Sequence, residues 1–539
     1  MNEDDTFKNM DNINIDNTPF YKKRVFLIAA AAGLIIIAII IIVAASSGSG
    51  KDSKDGGKDS TDGGKDSSDD GKDSKDDGEG SKENSCVIGK EKYCLTCVQN
   101  SKKCATCNPG FIVNEHFNKG EQCDIDYSIN ATYKIEKDNE EIDLLDSKYK
   151  DIIIELIVDG VKKDISTKYK FPKAGSYTVL IKTNLENISS LSGMFAKNKN
   201  IISIETTKLF NIEKIENMEQ MFNECTSLEK ANLPNLSGQK LQKMDKLFYG
   251  CPSLKTVGLS NFDASQLNSI SEMFKGCISL NSVDLSNFGP LKLESTESMF
   301  SDLTNLESIS LSNFNAGYLK NMNKMFYNCQ SLTSIKISNF DANSLVSMDE
   351  MCSNCYKLTS VSLGNLEAPK LESLTKMFVN CSSLEIVDLS ITTEKVKNMD
   401  QMLYNCKALK SFKFGMNFKA SNELSLKEMF YNCVSLEQFK YSFNTFTISN
   451  IEKMFYKCSS LTSIDLKVFS NTQNVHSMDE MFYYCNKLTS IDISTFTTSL
   501  TSIKLFNELP SIGKIIVKEE FLSLIKDQIP SSWTTSTGK

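Results

Sequence analysis

The chain has 539 residues and a net charge of −8, of which about −5 falls in residues 46–85 and about −1 in residues 1–24. The chain beyond Ser85 is nearly neutral and offers no basic stripe to a phosphate backbone, which argues against nucleic-acid binding. There are only two histidines, His116 and His476, far apart in the chain, so most histidine-dependent catalysis and His-rich metal sites are excluded.

A chain of this length divides into several modules. Residues 25–45 are uncharged and apolar, and as a helix they would span about 31 Å, matching a hydrocarbon core of roughly 30 Å. Lys22, Lys23 and Arg24 stand immediately before them. The positive-inside bias then makes residues 1–24 a cytoplasmic tail and exports the rest, a type II single-pass arrangement at the plasma membrane. The alternative is a signal peptide cut near Val43-Ala44-Ala45-Ser46, although the run is long for a signal core. Residues 46–85, typified by Lys51-Asp52-Ser53-Lys54, hold almost no apolar side chain. They read as a disordered stalk with an end-to-end reach of roughly 35 Å.

Residues 86–123 carry Cys86, Cys94, Cys97, Cys104, Cys107 and Cys123. Two C-x-x-C pairs could serve as zinc knuckles, but two cysteines would be left over. A disulfide framework uses all six and suits an exported segment with little core of its own. Their connectivity stays open. The stretch Cys107-Asn108-Pro109-Gly110-Phe111 before Cys123 resembles growth-factor-receptor cysteine-rich modules.

Residues 124–190 turn to β-branched runs, Ile152-Ile153-Ile154-Glu155-Leu156 and Tyr177-Thr178-Val179-Leu180-Ile181. They predict a β-rich flank that caps the first unit of a repeat array. Through residues 191–500, Met-Phe, then Cys, then Leu recur about every 26 residues, as in Met273-Phe274, Cys277, Leu280 and Met325-Phe326, Cys329, Leu332. Such a period implies a solenoid. Leu319, Met322, Met325 and Phe326 fall at helical spacing, and Asn328 follows as a left-handed stop, matched by Gly250, Gly276, Asn354, Asn380, Asn405 and Asn432. Leu332, Ile335 and Ile337 then alternate as a strand. The expected fold class is an α/β repeat solenoid of leucine-rich-repeat type, with one short helix and one short strand per unit in a long parallel sheet. Residues 501–539 form a C-terminal cap.

The cysteine column invites a metal or disulfide ladder. Its equivalents Asn198 and Leu303, and an odd total of 11 cysteines across the repeats, favour buried thiols instead. The frame Met-Phe-x-x-Cys-x-Ser-Leu-x-Ser-Ile/Val-x-Leu-Ser-Asn-Phe, intact at 273–288, resembles BspA-like leucine-rich-repeat surface proteins. The segment Ile515-Ile516-Val517, Phe521, Ile525 and Trp533 is similar to the end of such arrays. This resemblance implies cell-surface display, adhesion to host proteins or other cells, and no catalysis; matrix and glycan are further candidate partners, and no cofactor is expected. The anchor and cysteine module depart from common bacterial members.

Strand alternation would place a ligand face on Ser282, Ser308, Ser334, Ser360, Ser411, Ser463 and Ser490, beside Asp284, Lys336, Asp388, Lys413, Lys440, Asp465 and Asp492. About 12 units at roughly 4.8 Å give a strip of about 58 Å. A merely solvated face is the alternative. Asn130, Asn187 and Asn235 are glycosylation candidates, and Asn380 also stands in a sequon. The function expected is adhesion or recognition of a macromolecular partner. The alternative is a receptor ectodomain that signals through a separate protein, since about 24 cytoplasmic residues hold no folded module.

Overall fold

The computed structural model describes residues 128–537 apart from short segments between elements, together with four short strands between Cys94 and Ile125. The expected tail, membrane segment, stalk and Cys86 lie outside the described residues. No helix among the described residues is long and apolar enough to cross a membrane.

In strand Ser128–Ile135 the side chains alternate: Ile129, Ala131, Tyr133 and Ile135 are buried, while Asn130 and Lys134 are exposed. That strand pairs antiparallel with Gly175–Thr183 on one edge and with Ile201–Thr206 on the other. Ile201–Thr206 then pairs in parallel with Lys230–Asn232, and that strand with Thr256–Gly258. One seven-stranded sheet therefore runs from the flank into the first coils. The buried Tyr133 hydroxyl donates to Leu144 O at 2.7 Å, so burial leaves no polar atom orphaned there.

Most later coils repeat one plan. A three- or four-residue strand stacks in parallel on its neighbour, as Ser308–Ser310, Ser334–Lys336 and Ser360–Ser362 do. Inward-facing Met, Phe, Cys and Leu side chains fill the space behind it, and Met221, Phe222, Cys225 and Leu228 are all at most 1% exposed. Equivalent phenylalanines stack coil on coil. Phe195, Phe222, Phe248, Phe274, Phe300 and Phe326 form one file with centroids 5.3–5.8 Å apart and nearly parallel rings.

The solenoid follows from the period, but the short helix does not form. The Met-Phe segment is a pair of tight turns. Met221 N bonds Met218 O and Asn223 N bonds Gln220 O within the coil. Gln220 N, Phe222 N and Glu224 N instead donate to Asp245 O, Leu247 O and Tyr249 O of the following coil at 2.7–2.9 Å. An α-helix would direct every N–H to the carbonyl four residues back. Here alternate N–H groups leave the segment, because the residue two places before Phe takes φ near +57°, as at Gln220, Lys246, Glu272 and Lys324. A right-handed helix cannot pass through that conformation. The second left-handed position is the expected one: Gly250, Gly276, Asn328, Asn354, Asn380, Asn405 and Asn432 have φ of +60° to +78°. The fold is thus a β-solenoid, and its only α-helix among the described residues is Glu519–Ile525.

The single long parallel sheet is also replaced by shorter ones. Three-stranded ladders cover Ser308–Ser362 and Ile386–Lys440, and a four-stranded one joins Ser463–Asp465, Ser490–Ile493, Lys514–Val517 and Thr534–Thr537. A second parallel sheet, from Leu366–Glu367 through Ile391–Asn398 and Phe418–Ser425 to Phe469–Asn471, runs along another side of these later coils. At the C-terminal end, Phe521 and Ile525 of the helix are buried. Trp533 closes over Gly513, where a Cβ would come within 2.5 Å of the indole.

Candidate binding surface

Strand register brings the predicted columns together one coil at a time. Ser308, Ser334 and Ser360 are mutual partners and all three are exposed, while Ile309 and Ile335 between them point into the core. Asp388, Lys413 and Lys440 also stand in register. The Asp388 carboxylate lies 3.6 Å from Lys413 Nζ, both side chains about half exposed. Such a pair contributes at most about 1 kcal/mol and stays available to a partner. Ser463 and Ser490 face each other, as do Asp465 and Asp492.

Two like carboxylates in register would repel, and Lys467 bridges them at 3.9 Å and 2.6 Å. Burial acts to raise the Asp492 carboxyl, but Lys467 and Ser494 donate to it, and the balance leaves it below the usual range. Ser282 is exposed, while Asp284 lies outside the described residues. Lys336 stands in backbone register between Ser310 and Ser362. Sequence reasoning missed Ile386, which stands in the serine column opposite Ser411 and is 41% exposed. The strip is therefore hydroxyl-rich at one end and charged, with an apolar step, further along.

Beside it, charged pairs join successive coils: Lys255 to Glu229 at 2.7 Å and Lys410 to Glu385 at 2.9 Å. Among the glycosylation candidates, Asn130 is exposed on its strand and Asn187 is exposed in a turn. Asn235 lies outside the described residues. Asn380 is committed elsewhere: its Nδ2 donates to Asn354 Oδ1 at 2.8 Å, and its Oδ1 accepts from Asn405 Nδ2 at 2.7 Å.

The eleven repeat cysteines are free and buried. Upstream, strand Cys94–Cys97 pairs antiparallel with Cys104–Cys107, setting Cys94 against Cys107 and Cys97 against Cys104 along the backbone. Phe111–Asn114 pairs with Gln122–Ile125, which carries Cys123. No group of His, Cys, Asp or Glu among the described residues is arranged to hold a metal ion.

A family described as "Mycoplasma protein of unknown function, DUF285" matches residues 165–288, 230–334, 294–413 and 410–509. Among solved structures, a leucine-rich repeat protein from Bacteroides ovatus ATCC 8483 is 21% identical over 63% of this chain and 88% of that chain, with a TM-score of 0.35. The TLR13–ssRNA13 complex is 14% identical over 63% of this chain and 52% of that chain, with a TM-score of 0.25. The plant peptide hormone receptor RGFR1 in complex with RGF2 is 15% identical over 66% and 58%, with a TM-score of 0.23. No curated protein matches the sequence.

Proposed function

Since this chain belongs to the DUF285 family, whose matches span more than half its length, we propose that it is a non-enzymatic adhesion or recognition protein of the cell surface. In this reading residues 25–45 anchor it and the cysteine module is closed by disulfides. The solenoid is then carried outside the cell, where it binds a macromolecular partner such as a host protein, matrix, glycan or another cell.

The observation that carries the reading is the set of exposed side chains that strand register sets side by side in three successive ladders, Ser308, Ser334 and Ser360, then Asp388 and Lys413, then Ser463 and Asp465 beside the partly buried Ser490 and Asp492. A rigid backbone presents them at the strand repeat of about 4.8 Å, so an elongated partner meets groups that need little ordering on binding. Their spread over many coils also fits a large partner.

The test is replacement of Asp388, Lys413 and Asp465 by Ser together, followed by binding of the protein to host cells, matrix proteins and a glycan array. Loss of binding with unchanged thermal unfolding is expected. Binding at full strength removes the strand face from consideration.

A further inference from the structure

On another side of the coils lies a ridge of tyrosines. Tyr404, Tyr431 and Tyr456 stack with centroids 4.6 Å apart and rings within 6° of parallel, and Tyr483 continues the file at 6.2 Å and 23°. All four are partly exposed. The fold does not require them: the same turn position holds Ala196, Asn223, Ser301 and Val379 in other coils, with isolated tyrosines at Tyr249 and Tyr327. Four consecutive tyrosines are a local feature of the later coils.

Tyrosine supplies contact area at low entropic cost and is enriched in protein interfaces. Stacking lowers that cost further by fixing the rings before contact. Because each ring face is covered by its neighbour, the ridge presents edges and hydroxyls, which suits packing against another protein surface better than stacking on a sugar.

The column beside the ridge indicates which surface. Coil by coil it reads Gln401, Glu428, Lys453, Glu480, with the Gln401 amide 2.7 Å from Glu428 and Lys453 3.9 Å from Glu480. Read in the opposite direction, this order complements itself. About a two-fold axis between the coils of Tyr431 and Tyr456, Glu428 of one copy meets Lys453 of the other, and Gln401 meets Glu480. The tyrosines pair in the same way, Tyr431 with Tyr456 and Tyr404 with Tyr483. Self-complementarity of this kind defines an isologous interface.

We propose that the tyrosine ridge is the contact face for a second copy of this chain, docked antiparallel across the Tyr431–Tyr456 step. Four coils span about 19 Å, so the contact falls well short of the roughly 800 Å² per partner of a stable dimer. The association is therefore weak in free solution and strengthens where copies are held close together.

The test uses the full chain in detergent micelles, with photo-oxidative tyrosine coupling read as covalent dimer on a denaturing gel. Wild type is expected to give dimer, and Lys453→Glu and Glu428→Lys are each expected to reduce it at least fivefold when assayed alone. An equimolar mixture of the two variants restores the pairing of unlike charges and is expected to recover the dimer, which also shows that both variants are folded. The proposal is overturned if wild type yields no dimer, if the mixture does no better than either variant, or if dimer survives replacement of Tyr404, Tyr431, Tyr456 and Tyr483 together by Ser.

Discussion

The Cys251 thiol lies 3.0 Å from the carbonyl oxygen of Phe222 in the preceding coil, an oxygen that already accepts from Cys225 N in its own turn at 3.3 Å. The same relation recurs from Cys355 to Phe326, whose carbonyl accepts from Cys329 N, and from Cys381 to Cys352, whose carbonyl accepts from Cys355 N. Because the carbonyl is satisfied without the sulfur, the thiol is a small apolar filler with a weak extra bond. That is why Leu303 can stand in the same column: Phe274 O keeps its bond from Cys277 N at 3.1 Å.

The repeat thiols should therefore be chemically silent in the folded protein. Burial pushes Cys251 up to about 12 and places Cys277 and Cys329 well above the ordinary thiol range. Iodoacetamide should label the eleven repeat cysteines only after denaturation, as read by peptide mass. Labelling of any of them in the native state contradicts the packing. Cys251→Ala should cost about 1–2 kcal/mol, chiefly through the cavity it leaves.

A second expectation concerns Asp245 and Asp400. Asp245 accepts from the Ser269 hydroxyl and Ser271 N, and Asp400 from the Ser425 hydroxyl and Lys427 N. Burial raises both carboxyls, with those donors pulling the other way. An acid raised by folding disfavours the folded state once it is charged. The penalty is absent below the unfolded carboxyl range near ~4 and complete above the folded value. Asn323 occupies the same place and accepts the same bonds, from Ser347 and Asp349 N, without a charge. Asp245→Asn and Asp400→Asn should therefore be neutral or stabilising by up to about 1 kcal/mol at pH 7, and that advantage should vanish by about pH 3. Thermal unfolding at the two pH values decides it, and a variant that melts lower at pH 7 refutes it.

Asn380 should carry no glycan although it lies in a sequon. A sugar on its Nδ2 would break the amide ladder to Asn354 and Asn405. Its φ of +60° also explains the cost of replacing it. Asn380→Ala should lose about 1–3 kcal/mol from left-handed strain and lost bonds, and Asn380→Gly should lose less. Intact mass after expression in a glycosylating host should show occupancy at Asn130 and none at Asn380.

The other left-handed column supports a converse experiment. Lys376 is exposed, has φ +57°, and donates its N–H to Asp400 O at 2.9 Å. Lys376→Gly should stabilise by a few tenths to about 1 kcal/mol, and Lys376→Val should destabilise by more than that. Chemical denaturation of the two variants, ranked in the reverse order, would show that this backbone conformation is not held.

What the sequence disclosed depends on how each feature is encoded. Asn328 and its equivalents are residues that tolerate positive φ, so that turn could be read directly. Gln220, Lys246 and Glu272 adopt the same conformation without any such preference. Inter-coil hydrogen bonds and buried Met and Phe hold them there, and neither is visible in one unit alone. Leu319, Met322, Met325 and Phe326 point inward from turns at intervals that a helix would also give, so the wrong period fitted the right face. The serine and aspartate columns were legible because strand alternation has only two sides. Ile386 was not, since an apolar residue in a polar file carries no positional signal. The tyrosine ridge was likewise hidden: Tyr404, Tyr431, Tyr456 and Tyr483 stand about 26 residues apart and become neighbours only once the coils are stacked.

From Leu191 and Gly193 onward to Phe482, the Met-Phe turns give their alternate N–H groups forward, and turns after the first receive the equivalent set from behind. At the Met-Phe turns, successive units therefore meet through equivalent joints. Removing or duplicating one whole unit leaves matching halves at the seam, so unequal exchange between neighbouring segments of the gene can lengthen or shorten the rod while keeping it foldable. What such an exchange alters is the order of the side chains displayed outside, which makes surface display far freer to diversify than the scaffold beneath it.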